Sequence, residues 1–197
     1  MNNLLPLVAA TAILVMIPGP NVALIVANSL KYGFRMGVRT VLGTTIGVGL
    51  QLALVVFGLA AVVEVAAEAL LWIKWAGVAY LVYLGIRTFR EPADDLGGIE
   101  AAPAMFGRGC ILALLNPKTL LFNAAFIPQF VGAADATASQ LGLVAAVFLA
   151  VLFVGDVLWA AFASSAGRVL TRYATMRNRL TGTFLTAAGI GLALSNR

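Results

Sequence analysis

From Leu4 to Leu30 the chain carries no charged residue, and from Val41 to Val63 it carries none either. A helix needs about 20 apolar residues to cross the ~30 Å hydrocarbon layer of a bilayer, and both runs are that long. In hydrocarbon the backbone must satisfy its own N–H and C=O groups, so segments of this kind are read as spanning helices. Four more apolar runs follow: Ala69–Phe89 with Lys74 inside it, Gly109–Val131 with Lys118, Ser139–Ala163 with Asp156, and a shorter, Thr/Gly-rich Leu180–Leu194. The expected fold is an all-α integral membrane protein of six transmembrane helices; five spans, without the last run, is the alternative. Only 11% of the 197 residues are charged, against ~25% in soluble domains. The whole of 1–197 therefore reads as a single transmembrane domain.

Basic residues fall in alternate links. The first link holds Lys31, Arg35 and Arg39, the third Arg90 and Arg108, and the fifth Arg168, Arg172, Arg177 and Arg179. The second holds Glu64 and Glu68, and the fourth only Asp135. Loops rich in Lys and Arg face the cytoplasm, so links one, three and five are expected inside and both termini outside. The first apolar run is not preceded by the positive segment of a cleavable signal peptide. The third link, with Pro92, Asp94, Asp95, Gly97, Gly98, Glu100 and Pro103, reads as a loop joining two halves.

The halves look alike. A shift of 99 residues places Pro18 on Pro117, Gly43 on Gly142 and Gly47 on Ala146. A three-helix unit repeated once must sit in the membrane in opposite orientations, as in the inverted repeats of many secondary transporters. Repeat one then covers about 1–90, the loop about 91–108, and repeat two about 109–197.

Helices one and four are each broken by a proline motif, and the breaks are the candidate site. In Pro18-Gly19-Pro20-Asn21 two prolines remove backbone donors and clash with the preceding turn. The freed polar groups must find partners or line a wet cavity, and Asn21 is suited to cap the second half-helix. A plain structural kink is the competing reading. Asn116-Pro117-Lys118 breaks the fourth span at the matching place. A charge at membrane depth costs at least ~2.5–3.5 kcal/mol and marks function or pairing; the competing reading has Lys118 reaching the headgroups. Asp156 is the one acid inside any span. It must be paired or protonated there, which makes it a candidate for proton coupling, with a static ion pair to Lys118 or Lys74 as the alternative. Lys74 lies near the outer end of its span, within reach of headgroups. Gly43-x3-Gly47 suggests close helix packing, and Trp72, Trp75 and Tyr80 an interfacial belt.

Several chemistries find no support. With one cysteine, Cys110, and no histidine, neither an internal disulfide nor a zinc site of the usual kind is expected, and the same holds for iron–sulfur and His-ligated haem sites. No cofactor and no metal is expected. No nucleophile elbow or phosphate loop occurs, so no enzyme is indicated. The net charge of +5 sits in short links and not on a basic face, which argues against nucleic acid.

These motifs together resemble the LysE/RhtB family of amino-acid exporters. The resemblance rests on Ile17-Pro18-Gly19-Pro20-Asn21, on Lys74-x2-Gly77-x2-Tyr80-Leu81-x2-Leu84-Gly85, on Phe106-x2-Gly109 leading into Asn116-Pro117-Lys118, on Pro128-Gln129-Phe130, and on Asp156-x2-Trp159. The motifs are collinear over nearly the whole chain. The resemblance implies secondary transport of amino acids or their derivatives out of a bacterial cytoplasm, across the inner membrane, without fixing the substrate. On this expectation Pro18, Gly19, Pro20, Asn21, Asn116, Pro117 and Lys118 bind the substrate and Asp156 carries the proton. The partners are then an amino acid, protons and the lipid bilayer, with a homo-oligomer left open. A membrane enzyme or lipid-handling protein, a structural subunit and a metal-ion exporter are the rival readings, the last disfavoured by the missing histidine.

Overall fold

The computed structural model describes residues 4–90, 102–125, 129–130, 138–169 and 174–194. Among them are seven helices: α1 Leu4–Met16, α2 Pro20–Tyr32, α3 Phe34–Arg90, α4 Ala102–Leu114, α5 Pro117–Ala125, α6 Ala138–Val169 and α7 Ala174–Leu194. Positions on the links, among them Asp94, Asp95, Asp135 and Arg172, lie outside the described residues.

The expected first span is two helices, α1 and α2, bent by 58° at the break. The expected fourth span is likewise two helices, α4 and α5, separated at Leu115 and Asn116. Phe34–Leu54 and Ser139–Ala166 are each long and apolar enough to cross a bilayer unbroken. The loop expected at Glu64–Glu68 falls inside α3, which is assigned helical from end to end. A straight helix of 57 residues would be about 85 Å long at 1.5 Å per residue. Yet Val41 packs with Ile25, and Leu81 with Leu24. Both ends of α3 therefore lie against α2, and the run reverses between them.

α2 is the centre of the bundle. Every residue from Pro20 to Ser29 is buried, and α2 touches α3, α4, α6 and α7. α1 lies outside it against α6, where Leu7 and Val15 join Val48, Leu52, Phe122 and Phe148 in one apolar cluster. The rings of Phe122 and Phe148 stack at 5.5 Å.

The outer faces are apolar, unlike those of a soluble bundle, and the interior combines apolar clusters with buried polar side chains. Leu42, Ile46, Leu50 and Leu54 form an exposed stripe on α3, as do Leu158 and Phe162 on α6. Thr11, Asn21, Asn28, Thr44, Gln51, Asn116, Asn123 and Asp156 are buried. Lipid gives helices no hydrophobic reason to associate, so close packing and interhelical hydrogen bonds hold them. Gly43, Gly47 and Gly109 supply the packing. A Cβ on Gly43 would lie 2.1 Å from the Phe106 carbonyl oxygen, one on Gly47 2.4 Å from that of Cys110, and one on Gly109 2.7 Å from that of Thr40. α3 and α4 thus meet backbone to backbone, as the Gly43-x3-Gly47 spacing suggested. The matching glycine of the second half, Gly142, faces open space.

Candidate functional site

The site grows out of what three prolines take away. In a continuous helix the N–H of residue 18 would bond to the carbonyl of residue 14. Pro18 has no N–H, and α1 ends at Met16 with a last bond from Ile17 N to Ile13 O (3.2 Å). Gly19 then runs extended (φ −133°, ψ −168°) and Pro20 opens α2. The carbonyls at the end of α1 find their donors elsewhere in the chain. The Lys118 ammonium donates to Leu14 O (2.6 Å) and also to Ile17 O. The Trp159 indole N–H donates to Val15 O (3.1 Å).

The second break is served in the opposite direction. Pro117 cannot donate to Ala113 O, which instead accepts from Asn116 N (3.1 Å). The buried Gln51 carboxamide, reaching across from α3, donates to Ala113 O, Leu114 O and Asn116 O, each at 3.1 Å. Its own oxygen accepts from Asn123 Nδ2 (3.3 Å). Asn116 caps α5: its Oδ1 accepts from Lys118 N (3.0 Å), the usual N-cap bond to the second helical residue. Pro117 takes the first helical position, where its missing N–H costs nothing.

The two breaks meet at a small cavity lined by Gly19, Asn21, Asn116, Lys118, Thr119 and Asp156, with Leu14, Val15, Val22 and Leu152. Its volume is about 20 Å³, room for about one water molecule. Asp156 is 2% exposed. The Thr44 hydroxyl reaches its carboxyl, and its Oδ2 has no hydrogen-bond partner among the described residues. Asn21 Oδ1 is unpartnered in the same sense.

Of the residues singled out from sequence, Gly19, Asn21, Asn116, Lys118 and Asp156 line this cavity. Pro18 and Pro20 line a neighbouring one, which shares Gly19 and Lys118. Pro117 lines neither and acts through the shape of the break. One expectation and one alternative are corrected. Asn21 does not cap α2: Pro20 starts the helix one residue earlier, so Gly19 holds the cap position and offers no side chain. Nor do Lys118 and Asp156 form a contact ion pair, because the ammonium is taken by the carbonyls of the first break; the two groups face each other across the cavity. The Lys74 side chain lies outside the described residues.

Sequence reasoning missed Gln51, Thr44, Asn123 and the anchoring role of Trp159. Gln51 was the findable one, as the single carboxamide within the uncharged second run. Asn116, Thr119 and Asn123 also stand at i, i+3 and i+7, one face of a helix.

Comparisons with known proteins bear on what such a site serves. A model of the family described as LysE type translocator matches residues 12–196. An uncharacterized membrane protein of Bacillus subtilis, YrhP, is 28% identical over 99% of this chain and 100% of its own length. A leucine efflux protein of an Enterobacter species is 26% identical, over 85% of this chain and 80% of that protein. A homoserine/homoserine lactone efflux protein of Salmonella typhimurium is 32% identical, over 58% of this chain and 57% of that protein. No solved structure matches.

Proposed function

From the premise that this chain belongs to the LysE type translocators, we propose that it is a secondary exporter of amino acids or their derivatives, driven by the proton gradient. It works as a membrane protein of the bacterial cytoplasmic membrane, with six spans in two inverted repeats and both termini outside. The names of the efflux relatives support the substrate class.

One observation carries the reading. An ammonium group, that of Lys118, already occupies Leu14 O, which Pro18 sets free, and Ile17 O at the open end of the break, in a cavity that also holds Asp156. A zwitterionic amino acid brings a second ammonium of the same chemistry. On entering, it takes the Leu14 and Ile17 carbonyls, and the displaced Lys118 takes its carboxylate. A cavity of about 20 Å³ cannot admit the substrate while Lys118 stays in place, so binding and the opening of the first break are one event. Asp156 is the proton carrier. The Thr44 hydroxyl can turn its one hydrogen to Val41 O (3.0 Å) or to the Asp156 carboxylate, so it can serve either protonation state of the acid. When Lys118 swings away from the carbonyls toward the cavity, the carboxylate form gains a cation. The proton affinity of Asp156 is thereby tied to the position of Lys118.

Purified protein in vesicles tests this. The wild type should exchange a labelled amino acid and accumulate it against its gradient when a pH difference is imposed. Asp156→Asn keeps the shape and cannot ionise. It should retain exchange and lose pH-driven accumulation. Uphill transport by this variant with an unchanged pH dependence would remove Asp156 from the mechanism.

A further inference from the structure

A second cavity adjoins the first. It measures about 560 Å³, within the range of about 300–1,000 Å³ usual for small-molecule sites. Its walls are the first break and, on α7, Phe184, Ala187, Ala188, Gly191 and Leu192; among the described residues the one charged side chain lining it is that of Lys118. We propose that this cavity is the subsite for the substrate's side chain, and that it restricts the substrate to amino acids with uncharged, apolar side chains. The inference rests on the exporter reading above and adds the class of amino acid.

Three observations lead there. The polar cavity, at about 20 Å³, has no room for a side chain. Among the described residues, Gly19 and Lys118 line both cavities and stand between them. The glycine matters at this wall, since a Cβ there would lie 3.1 Å from Lys118 Cδ. A side chain leaving the head-group site can therefore pass where the lysine stem now lies. The other large apolar groove, about 570 Å³ between α1 and α6, shares only Val15 with the polar cavity. That wall is shut: Val15 is seated against Gly155 so closely that a Cβ on the glycine would be 2.5 Å from Val15 Cγ1.

The lining sets the selectivity. Among the described residues no acid lines the cavity, so a cationic side chain would meet Lys118 and lose its hydration without a partner. An acidic one would compete with the substrate's own carboxylate for the same ammonium. An aliphatic side chain meets mostly apolar surface.

Gly191 is the place to test this. A Cβ on it meets nothing within 4 Å, so Gly191→Val and Gly191→Phe should fold, checked by elution profile and unfolding temperature, while filling the cavity from its α7 wall. In vesicles the wild type should exchange leucine and alanine and discriminate against lysine. In the variants the KM for leucine should rise at least ten-fold further than that for alanine, more for Phe than for Val. In a Cys110→Ser background, alkylation of Gly191→Cys should be slowed by leucine and not by lysine. Equal changes for leucine and alanine, or no leucine protection of the cysteine, would make the cavity a lipid-filled groove and overturn the subsite while leaving the exporter reading intact. Wild-type exchange of lysine as fast as leucine would do the same. A wild type that exchanges no amino acid would overturn both.

Discussion

Replacing Gln51 by leucine removes the side chain that reaches three carbonyls at the second break. Their losses differ. Ala113 O keeps Asn116 N, and Asn116 O keeps Leu120 N and Thr119 Oγ1. Leu114 O loses its only partner among the described residues, and Asn123 Nδ2 loses the Gln51 oxygen. Leaving one buried acceptor empty costs about 1–3 kcal/mol. A hydrogen bond between transmembrane side chains is worth about 0.6 kcal/mol and at most about 1.7. The sum is about 2–4 kcal/mol, or about 4–15 °C in unfolding temperature for a chain of this size. Thr119→Ala removes one of several donors to Asn116 O and should cost less than about 1 kcal/mol. Asn123→Leu breaks the same side-chain bond as Gln51→Leu, so the double variant should lose less than the two singles together. Unfolding of purified protein in detergent, followed by tryptophan fluorescence, measures all four. If Gln51→Leu melts with Thr119→Ala, or if the double variant is strictly additive, Gln51 does not hold the break.

Other outcomes follow from the same packing. Trp159→Phe keeps an aromatic ring beside Phe162 but cannot donate to Val15 O, and should lower stability by about 1 kcal/mol in the same melt. Gly43→Ala places a methyl 2.1 Å from a backbone oxygen and should cost at least about 1–3 kcal/mol or abolish folding. Gly142→Ala, in open space, should be neutral or gain up to about 1 kcal/mol; equal effects at the two glycines would count against the close contact of α3 and α4. Cysteines introduced near Asn3 and Asp135 should react with an impermeant reagent from outside, while one at Arg172 should not, and labelling at 172 from outside would overturn the proposed topology.

The helical character, the two breaks and, of the residues that line the polar cavity, Gly19, Asn21, Asn116, Lys118 and Asp156 were legible because each leaves a local mark. A proline in an apolar run, or a charge in one, stands out whatever surrounds it. What could not be read was direction. Nothing local says that Lys118 serves the carbonyls of Leu14 and Ile17 instead of Asp156, since that partnership spans about a hundred positions and is decided by how α5 lies against α1. Asn21 was misplaced for a smaller reason: capping preference and the proline preference for the first helical position point to different starts, and Pro20 prevails. Gln51 was passed over because an uncharged amide raises no alarm in a hydropathy reading, although in lipid its two donors are as useful as a charge. The α3 reversal was legible as the acidic link at Glu64 and Glu68; what left no mark is that this link is itself helical, since the residues there suit a helix as well as a loop.

Each break is finished by the opposite half: Lys118 and Trp159 complete the first, Gln51 the second. This has a consequence for how the protein is made. Lys118 follows Leu14 by 104 residues, and a ribosome adding about 5–20 residues per second needs roughly 5–20 s to supply it. Over that interval the nascent first helix enters the membrane with the carbonyls of Leu14, Val15 and Ile17 lacking their final donors. It must wait near water, headgroups or the insertion machinery, and cannot settle into hydrocarbon at once. The first half is then an unfinished object until the second arrives, and an N-terminal fragment expressed alone should be a target for quality-control proteolysis.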